Sequence, residues 1–311
     1  MRASVVVPAY QSAATIAGTL EALARQDLAE PYEVIVVDDG STDGSAEIAE
    51  RAGVTSVLRQ SNLGPAAARN AGVAAASGEA IAFTDADCLP EPDWLRTGLR
   101  ALERAELVQG RVEPVGGVQG GPFDHTIWVL REDGLYECAN LFVERATFER
   151  VGGFEVWLVP RSGKPSAEDV WFGARARRAG ARYEFCADAL VRHAILERGW
   201  RDYLLEQRRR GHFADVARRV PEIRRQFFFA RLFLSRQTAA FDAAAAGFAL
   251  AAARRSPLPL AAALPYAKML RRRTRNWGAR APQILAVELL ADALGLASLV
   301  RGSLRARTPV L

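Results

Sequence analysis

Apolar positions in the first half of the chain follow two periods. Ala3–Pro8 is a short β-branched run, and Tyr32–Asp39 (YEVIVVDD) is a continuous apolar run ending in acids. Runs of this kind predict strands buried on both faces, as in a parallel sheet. Between them, Thr15–Arg25 sets Ile16, Leu20 and Leu23 at helical spacing. Gly40-Ser41-Thr42-Asp43 reads as a turn, with Asp43 placed to cap a helix reaching Ala52. Val54–Leu58 predicts a third strand, Pro65–Ala76 an alanine-rich helix and Glu79–Thr84 a fourth strand. Strand and helix therefore alternate, the order of an α/β fold with a parallel sheet. Ligands of such sheets bind beyond the C-terminal strand ends. That rule marks Pro8–Tyr10, Asp38–Asp39 and Asp85–Asp87 as candidate site segments.

The middle of the chain is more mixed. Glu91–Glu103 and Ala167–Ala179 read as helices. Leu107–Val115, Glu137–Val143, Arg182–Cys186 and Leu190–His193 read as strands. Gly116–Pro122 and Pro160–Pro165 are loops, each a candidate lid. From Trp200 onward strand signals stop. Helices are expected around 200–219, 222–237, 239–254, 259–274 and 283–304, punctuated by Pro221, Pro257, Pro259 and Pro282. This divides the chain into an α/β domain over 1–215 and a helical region over 216–311.

Composition narrows the class. The chain has 311 residues, half hydrophobic and a quarter charged, with 25 Gly and 15 Pro. A disordered tail, a collagen-like repeat and a disulfide-stapled miniprotein are excluded. Cys88, Cys138 and Cys186 are an odd set without a CxxC or Cys/His cluster. They predict reduced thiols in a cytoplasmic compartment rather than a disulfide framework or structural zinc. The opening MRASVVVPAY has a short apolar run ending at proline, which reads as a first strand and not a signal peptide. Charge is unevenly divided. Residues 1–195 hold 19 Arg/Lys against 28 Asp/Glu, and residues 196–311 hold 22 against 8.

Asp38, Asp39, Asp85 and Asp87 all fall at predicted strand ends. Clustered carboxylates repel one another and are tolerated where water, a cation or donor groups compensate them. Asp85-Ala86-Asp87 puts two carboxylates on one side of an extended segment. Oxygen ligands with open positions suit Mg²⁺ or Mn²⁺ carrying a phosphate substrate.

These segments, taken in order, resemble family 2 glycosyltransferases, which have the nucleotide-sugar-binding fold called GT-A. VVVPAY (Val5–Tyr10), VIVVDDGSTDGS (Val34–Ser45), NLGPAAARNAG (Asn62–Gly72) and FTDADC (Phe83–Cys88) are similar to the donor-side motifs. VGGF (Val151–Phe154) and AEDVWFGARARRAG (Ala167–Gly180) are similar to the acceptor-side segments. The resemblance covers about 1–215. It implies a mostly parallel GT-A-like sheet flanked by helices. It also implies a nucleoside-diphosphate sugar donor and a divalent cation, Mn²⁺ or Mg²⁺.

The resemblance assigns roles residue by residue. Pro8, Ala9 and Tyr10 would flank base and ribose. Asp39 would meet the base edge, supported by Asp38. Arg69 would lie near the nucleoside and Asp85 would face the ribose. Asp87 would bind the metal, with His193 a further ligand. Asp169 would be the catalytic base, beside Glu168, and Trp171 is a candidate sugar platform on the acceptor side. Asn140 would line the donor side.

The chemistry agrees with these residue types. Leaving diphosphate needs neutralising by a cation, and the acceptor hydroxyl needs a carboxylate to take its proton. A single displacement inverts the anomeric centre. Two other readings are open: a sugar-nucleotide pyrophosphorylase, and a non-catalytic membrane-associated scaffold. The first wants a Gly-rich basic loop after the first strand, where this chain has Pro8-Ala9-Tyr10-Gln11-Ser12.

Gln207-Arg208-Arg209-Arg210-Gly211 is similar to the QxxRW segment of processive members, but has Gly211 where Trp would stand, which argues for adding one sugar at a time. The basic back half has Phe227-Phe228-Phe229 but no nucleic-acid-binding motif, so nucleic acid is not expected as a partner. Its apolar helices flanked by arginines suit contact with an anionic cytoplasmic leaflet. Glu288 and Asp292 sit four apart on one stripe of the last helix. A glycan or lipid-linked acceptor, such as a glycolipid or cell-envelope glycan, is the expectation that goes with such a location.

Overall fold

A computed structural model describes residues 2–117, 120–156 and 167–311. The candidate lid at Pro160–Pro165 lies outside the described residues, as does part of the one at Gly116–Pro122. Two compact units are present. The first runs to Gly120 and resumes over His125–Leu196, and the second holds Gly121–Asp124 and Glu197–Leu311. The change of unit falls between Leu196 and Glu197, while position 215 lies inside a helix of the second unit.

The first unit is built on an eight-stranded sheet ordered β3-β2-β1-β4-β7-β6-β8-β5. Its strands are β1 (Ala3–Ala9), β2 (Tyr32–Asp38), β3 (Ser56–Arg59), β4 (Ala80–Phe83), β5 (Cys88–Pro90), β6 (Leu107–Pro114), β7 (Leu141–Glu144) and β8 (Tyr183–His193). Helices α1 (Ile16–Ala24), α2 (Ser45–Arg51), α3 (Pro65–Ala75), α4 (Trp94–Leu102), α5 (Arg145–Arg150) and α6 (Glu168–Arg178) connect or cover them. The sheet is mostly parallel, as expected. β1 runs parallel to β2 and β4, β2 to β3, and β6 to β8. β7 is antiparallel to β4 and β6, and β5 to β8.

The β-branched run of β1 explains the layering. Val5 and Val7 face one core with Ile16, Leu20 and Leu23 of α1 and Trp94 of α4. Val6 faces the other, with Phe83, Phe148, Phe154 and Phe172. Alternation along one strand thus buries both faces, and the two sides are covered by different helices.

Some elements differ from expectation. Glu137–Val143 is not one strand: Cys138–Asn140 forms a 3₁₀ turn before β7. Arg182–Cys186 and Leu190–His193 are one strand, β8, in which three residues bulge out as its register against β6 shifts between Gly110 and Arg111. β5 and α5, three and six residues long, carry too few apolar positions for a period to show.

The second unit is helical: α7 (Trp200–Gln207), α8 (His212–Arg219), α9 (Ile223–Gln226), α10 (Arg236–Arg254), α11 (Leu264–Thr274) and α12 (Ala281–Ala306). The helix expected over 222–237 stops after one turn. Phe229 and Phe233 pair backbone to backbone around Ala230 and Arg231, both at positive φ. Ser235 then caps α10 in a reciprocal box with Thr238. Glu288 and Asp292 do share a stripe of α12, and that stripe is buried. Glu288 pairs with Arg273 at 2.9 Å and accepts from the Tyr203 hydroxyl. Asp292 accepts from the Tyr266 hydroxyl and the Gln237 amide. Two carboxylates of one helix therefore pin α7, α10 and α11 to it.

Gly211 also has a physical reason. A Cβ there would stand 2.5 Å from the Ser298 carbonyl oxygen of α12, and the Gly211 carbonyl in turn meets Gly302. A tryptophan cannot occupy this crossing without parting the helices.

Candidate active site

The C-terminal ends of β1, β2 and β4 bring the expected donor-side segments together. Asp39 N donates to the Ala9 carbonyl at 2.8 Å, joining the ends of β1 and β2. Beyond it, the Gly40–Ser45 turn is laced to the turn after β1. Gln11 N donates to Ser41 Oγ, Ser12 N to Ser45 Oγ and Ala13 N to Asp43 Oδ2. Asp43 Oδ1 takes the Ser45 amide, but the N-cap of α2 is Gly44, at φ 91, one residue beyond the position expected to cap. Tyr10 projects from this rim half exposed, while Ala9 is buried beneath it.

Asp38 and Asp39 are both buried but differently occupied. Asp39 Oδ1 accepts from Gln60 Nε2 and Leu63 N, and Oδ2 from Gly64 N at 2.8 Å. It fastens the loop that starts α3 and keeps spare lone-pair capacity on Oδ2. Asp38 Oδ2 accepts from Ser41 N. Its Oδ1 is buried without a partner among the described residues.

Arg69 ties the segment after β4 to the start of α6. It rises from α3, is 6% exposed, and donates to Asp85 Oδ1 at 2.8 Å and to Glu168 Oε1 at 3.1 Å. Its Nε is buried with no partner among the described residues. Burial opposes its charge, but the surrounding acids hold the guanidinium protonated. Asp85, expected at the ribose, and Glu168, expected near the acceptor, are thus bridged by one cation.

Asp87 and His193 are brought together. β5 pairs with β8 in a register that places Cys88 opposite His193. His193 Nε2 stands 3.6 Å from Asp87 Oδ2. His193 Nδ1 lies 2.6 Å from the Ala194 carbonyl oxygen, an atom that only accepts. The proton of a neutral ring is therefore assigned to Nδ1, leaving the Nε2 lone pair aimed at Asp87. Two electron-rich atoms facing each other need a cation or a proton between them. Cys88 completes the cluster of possible donor atoms. Burial, then Asp85 and Asp87, push its thiol well above the usual range. The residues present fit a divalent cation.

Asp169 opens α6 beside Glu168, after Ala167 at φ 64. Its Oδ1 accepts from Val170 N. Burial, then Glu137 and Glu168, push its carboxyl well above the ordinary carboxylate range. Glu137 was not foreseen. Burial, then Asp133, Asp85 and Glu168, push it up to about 7. No motif marks it: Asp133 is four residues away, but Asp85 and Glu168 meet it only through the fold. Trp171 is flanked by cations of its own helix, with Arg175 and Arg178 at 5.8 and 5.6 Å from its ring. Asn140 is fully buried. It accepts from Trp94 Nε1 and donates to the Arg111 and Ala189 carbonyls, so it holds the sheet rather than lining the donor side.

The fold and this constellation define the GT-A class of nucleotide-sugar-binding proteins. The profile of glycosyl transferase family 2 matches residues 4–151. Glycosyltransferase AglE of Haloferax volcanii is 34% identical over 61% of this chain and 66% of its own length. Undecaprenyl-phosphate 4-deoxy-4-formamido-L-arabinose transferase of Serratia proteamaculans is 30% identical over 50% of this chain and 48% of its own. The matches to these relatives thus span about half to two thirds of their length. A mannosyltransferase from Pyrobaculum calidifontis, PcManGT, solved with GDP-Man and Mn²⁺, shares the fold. Its TM-score is 0.64 at 23% identity, covering 96% of this chain and 86% of that one. The chain belongs to glycosyltransferase family 2.

Proposed function

We propose that this protein is an inverting, metal-dependent glycosyltransferase. It moves a sugar from a nucleoside-diphosphate donor to a hydroxyl on a glycan or lipid-linked acceptor. The observation that carries this reading is the joining of Asp85, just beyond β4, to Glu168 at the start of α6 through Arg69. That bridge supports a site shared by the Asp85–Asp87 segment and Asp169, the neighbour of Glu168. The undecaprenyl-phosphate transferase among the relatives supports a lipid-linked acceptor.

Asp87 and His193 would hold the cation, which when bound neutralises the leaving diphosphate as a Lewis acid. The laced rim beneath Tyr10 offers a preformed surface for the nucleoside. Asp38 Oδ1 and Asp39 Oδ2 retain capacity for its N–H groups. Asp169 takes the acceptor proton. Its raised affinity for protons makes it a stronger base once ionised, so transfer rises with pH through its titration.

The test is a thermal-shift screen of guanosine and uridine diphosphate sugars with and without Mn²⁺, followed by transfer assays. A fitting donor raises the unfolding midpoint by mass action. Asp169→Asn keeps that shift and loses transfer. Full turnover by Asp169→Asn removes it as the base, and no shift with any donor removes the reading.

A further inference from the structure

The helical unit carries a surface that the transfer reaction does not explain. Around the α10–α11 hairpin, Phe248 (60% exposed), Leu258 (82%) and Leu264 (68%) point to solvent. α12 repeats the feature. Its buried stripe carries Glu288 and Asp292, and its exposed side carries Leu289, Leu290 and Leu304. Exposed apolar surface of this extent marks an interaction site.

Charge says what covers it. From Arg236 to the end the chain has twelve Arg/Lys and three carboxylates. None of the three is exposed: Glu288 and Asp292 are buried and Asp242 is half-buried. The basic residues are outside, with Arg254 and Arg255 at the turn of the hairpin and Lys268, Arg271 and Arg272 on α11. A second copy would bring two positive surfaces together. An anionic bilayer meets both properties at once, taking leucines between acyl chains and arginines among headgroups.

We propose that the helical unit is seated on an anionic membrane surface by the α10–α11 hairpin, with the exposed side of α12 contributing. The stretch Leu258–Ala306 is long and apolar enough to cross a membrane by length and composition. The buried carboxylates of α12 nevertheless fix it within its own bundle through Arg273, Tyr203, Tyr266 and Gln237. The hairpin's own apolar segment, Leu258–Leu264, is far shorter than a span. The surface therefore lies in the interface. This inference stands apart from the donor chemistry and fails separately from it.

Flotation of the full chain with phosphatidylcholine vesicles, with and without phosphatidylglycerol, tests it. Binding is expected only with phosphatidylglycerol and falls with added salt. Leu258→Glu with Leu264→Glu lowers the partition coefficient on the order of a hundredfold. Arg254→Glu with Arg255→Glu lowers it roughly tenfold or more. Both double variants keep the far-ultraviolet circular dichroism and unfolding midpoint of the parent, because all four side chains are exposed. Equal recovery of parent and variants with phosphatidylglycerol vesicles overturns the proposal. So does a parent dimer in light scattering that Leu258→Glu with Leu264→Glu dissolves while no vesicle binding is seen.

Discussion

Replacing Arg69 with methionine tests the architecture of the site most directly. Methionine keeps much of the stem volume and removes the guanidinium that bridges Asp85 and Glu168. Arg69 and Glu168 are almost fully buried, and Asp85 is about three-quarters buried. Removing one member of a buried ion pair leaves uncompensated charge and costs about 3–5 kcal/mol. Glu137 and Asp169 also interact with Arg69, so the loss falls on a cluster of acids. For a unit of this size each kcal/mol moves the midpoint by about 2–4 °C, giving a drop on the order of 10 °C near neutral pH. The cost is charge, so protonating the acids relieves it. The gap between parent and Arg69→Met should narrow as pH falls, because Glu137 and Asp169, already held above the ordinary carboxylate range, lose a cation that favours their charged forms. Thermal unfolding of both proteins across pH, followed by circular dichroism, reads this out. Equal midpoints near neutral pH, or a gap that does not change with pH, would refute the reasoning.

Three further outcomes follow from the geometry. His193→Ala removes the Nε2 lone pair facing Asp87, and the rise in unfolding midpoint that Mn²⁺ gives the parent should disappear in calorimetry. Glu137 has a folded pKa of about 7 against an ordinary 4.5, so its contribution to stability is complete below 4.5 and lost as pH rises through 7. Glu137→Gln should flatten the stability–pH curve in that window under urea denaturation, and an unchanged slope would discount the residue. Gly211→Trp places a side chain where a Cβ already meets the Ser298 carbonyl at 2.5 Å. It should lower the midpoint of the helical unit by several degrees, with no gain in product length in a transfer assay.

The front of the chain was the more legible half, for a physical reason. A parallel strand buried on both faces is an unbroken apolar run, and in β1, β2 and β4 it ends where the polar site begins. Asp38, Asp39, Asp85 and Asp87 could be marked from that boundary alone. Their partners could not. The donors on Asp39 come from Gln60, Leu63 and Gly64, and the bridge from Arg69 reaches Glu168 across 99 positions. Asn140 shows the opposite failure. It lies between site segments in sequence, yet its amide is consumed by Trp94, Arg111 and Ala189 inside the sheet. In the helical unit, composition showed apolar segments but not which side each would bury. Only the bundle reveals that α12 turns Glu288 and Asp292 inward and leaves leucines outside.

The surplus of acid in the front half is resolved unevenly by the fold. Asp39 is held by loop donors, and Asp85 and Glu168 share Arg69. These carboxylates have their compensation inside the chain. Two places do not, among the described residues. At one, Asp87 faces the lone pair of His193. At the other, burial, then Glu137 and Glu168, raise the affinity of Asp169 for a proton. A cation-bound diphosphate and a hydroxyl about to lose its proton are the two reactants of the proposed transfer. Under that proposal Asp87 with His193 serves the first reactant and Asp169 the second, while Arg69 bridges Asp85 and Glu168.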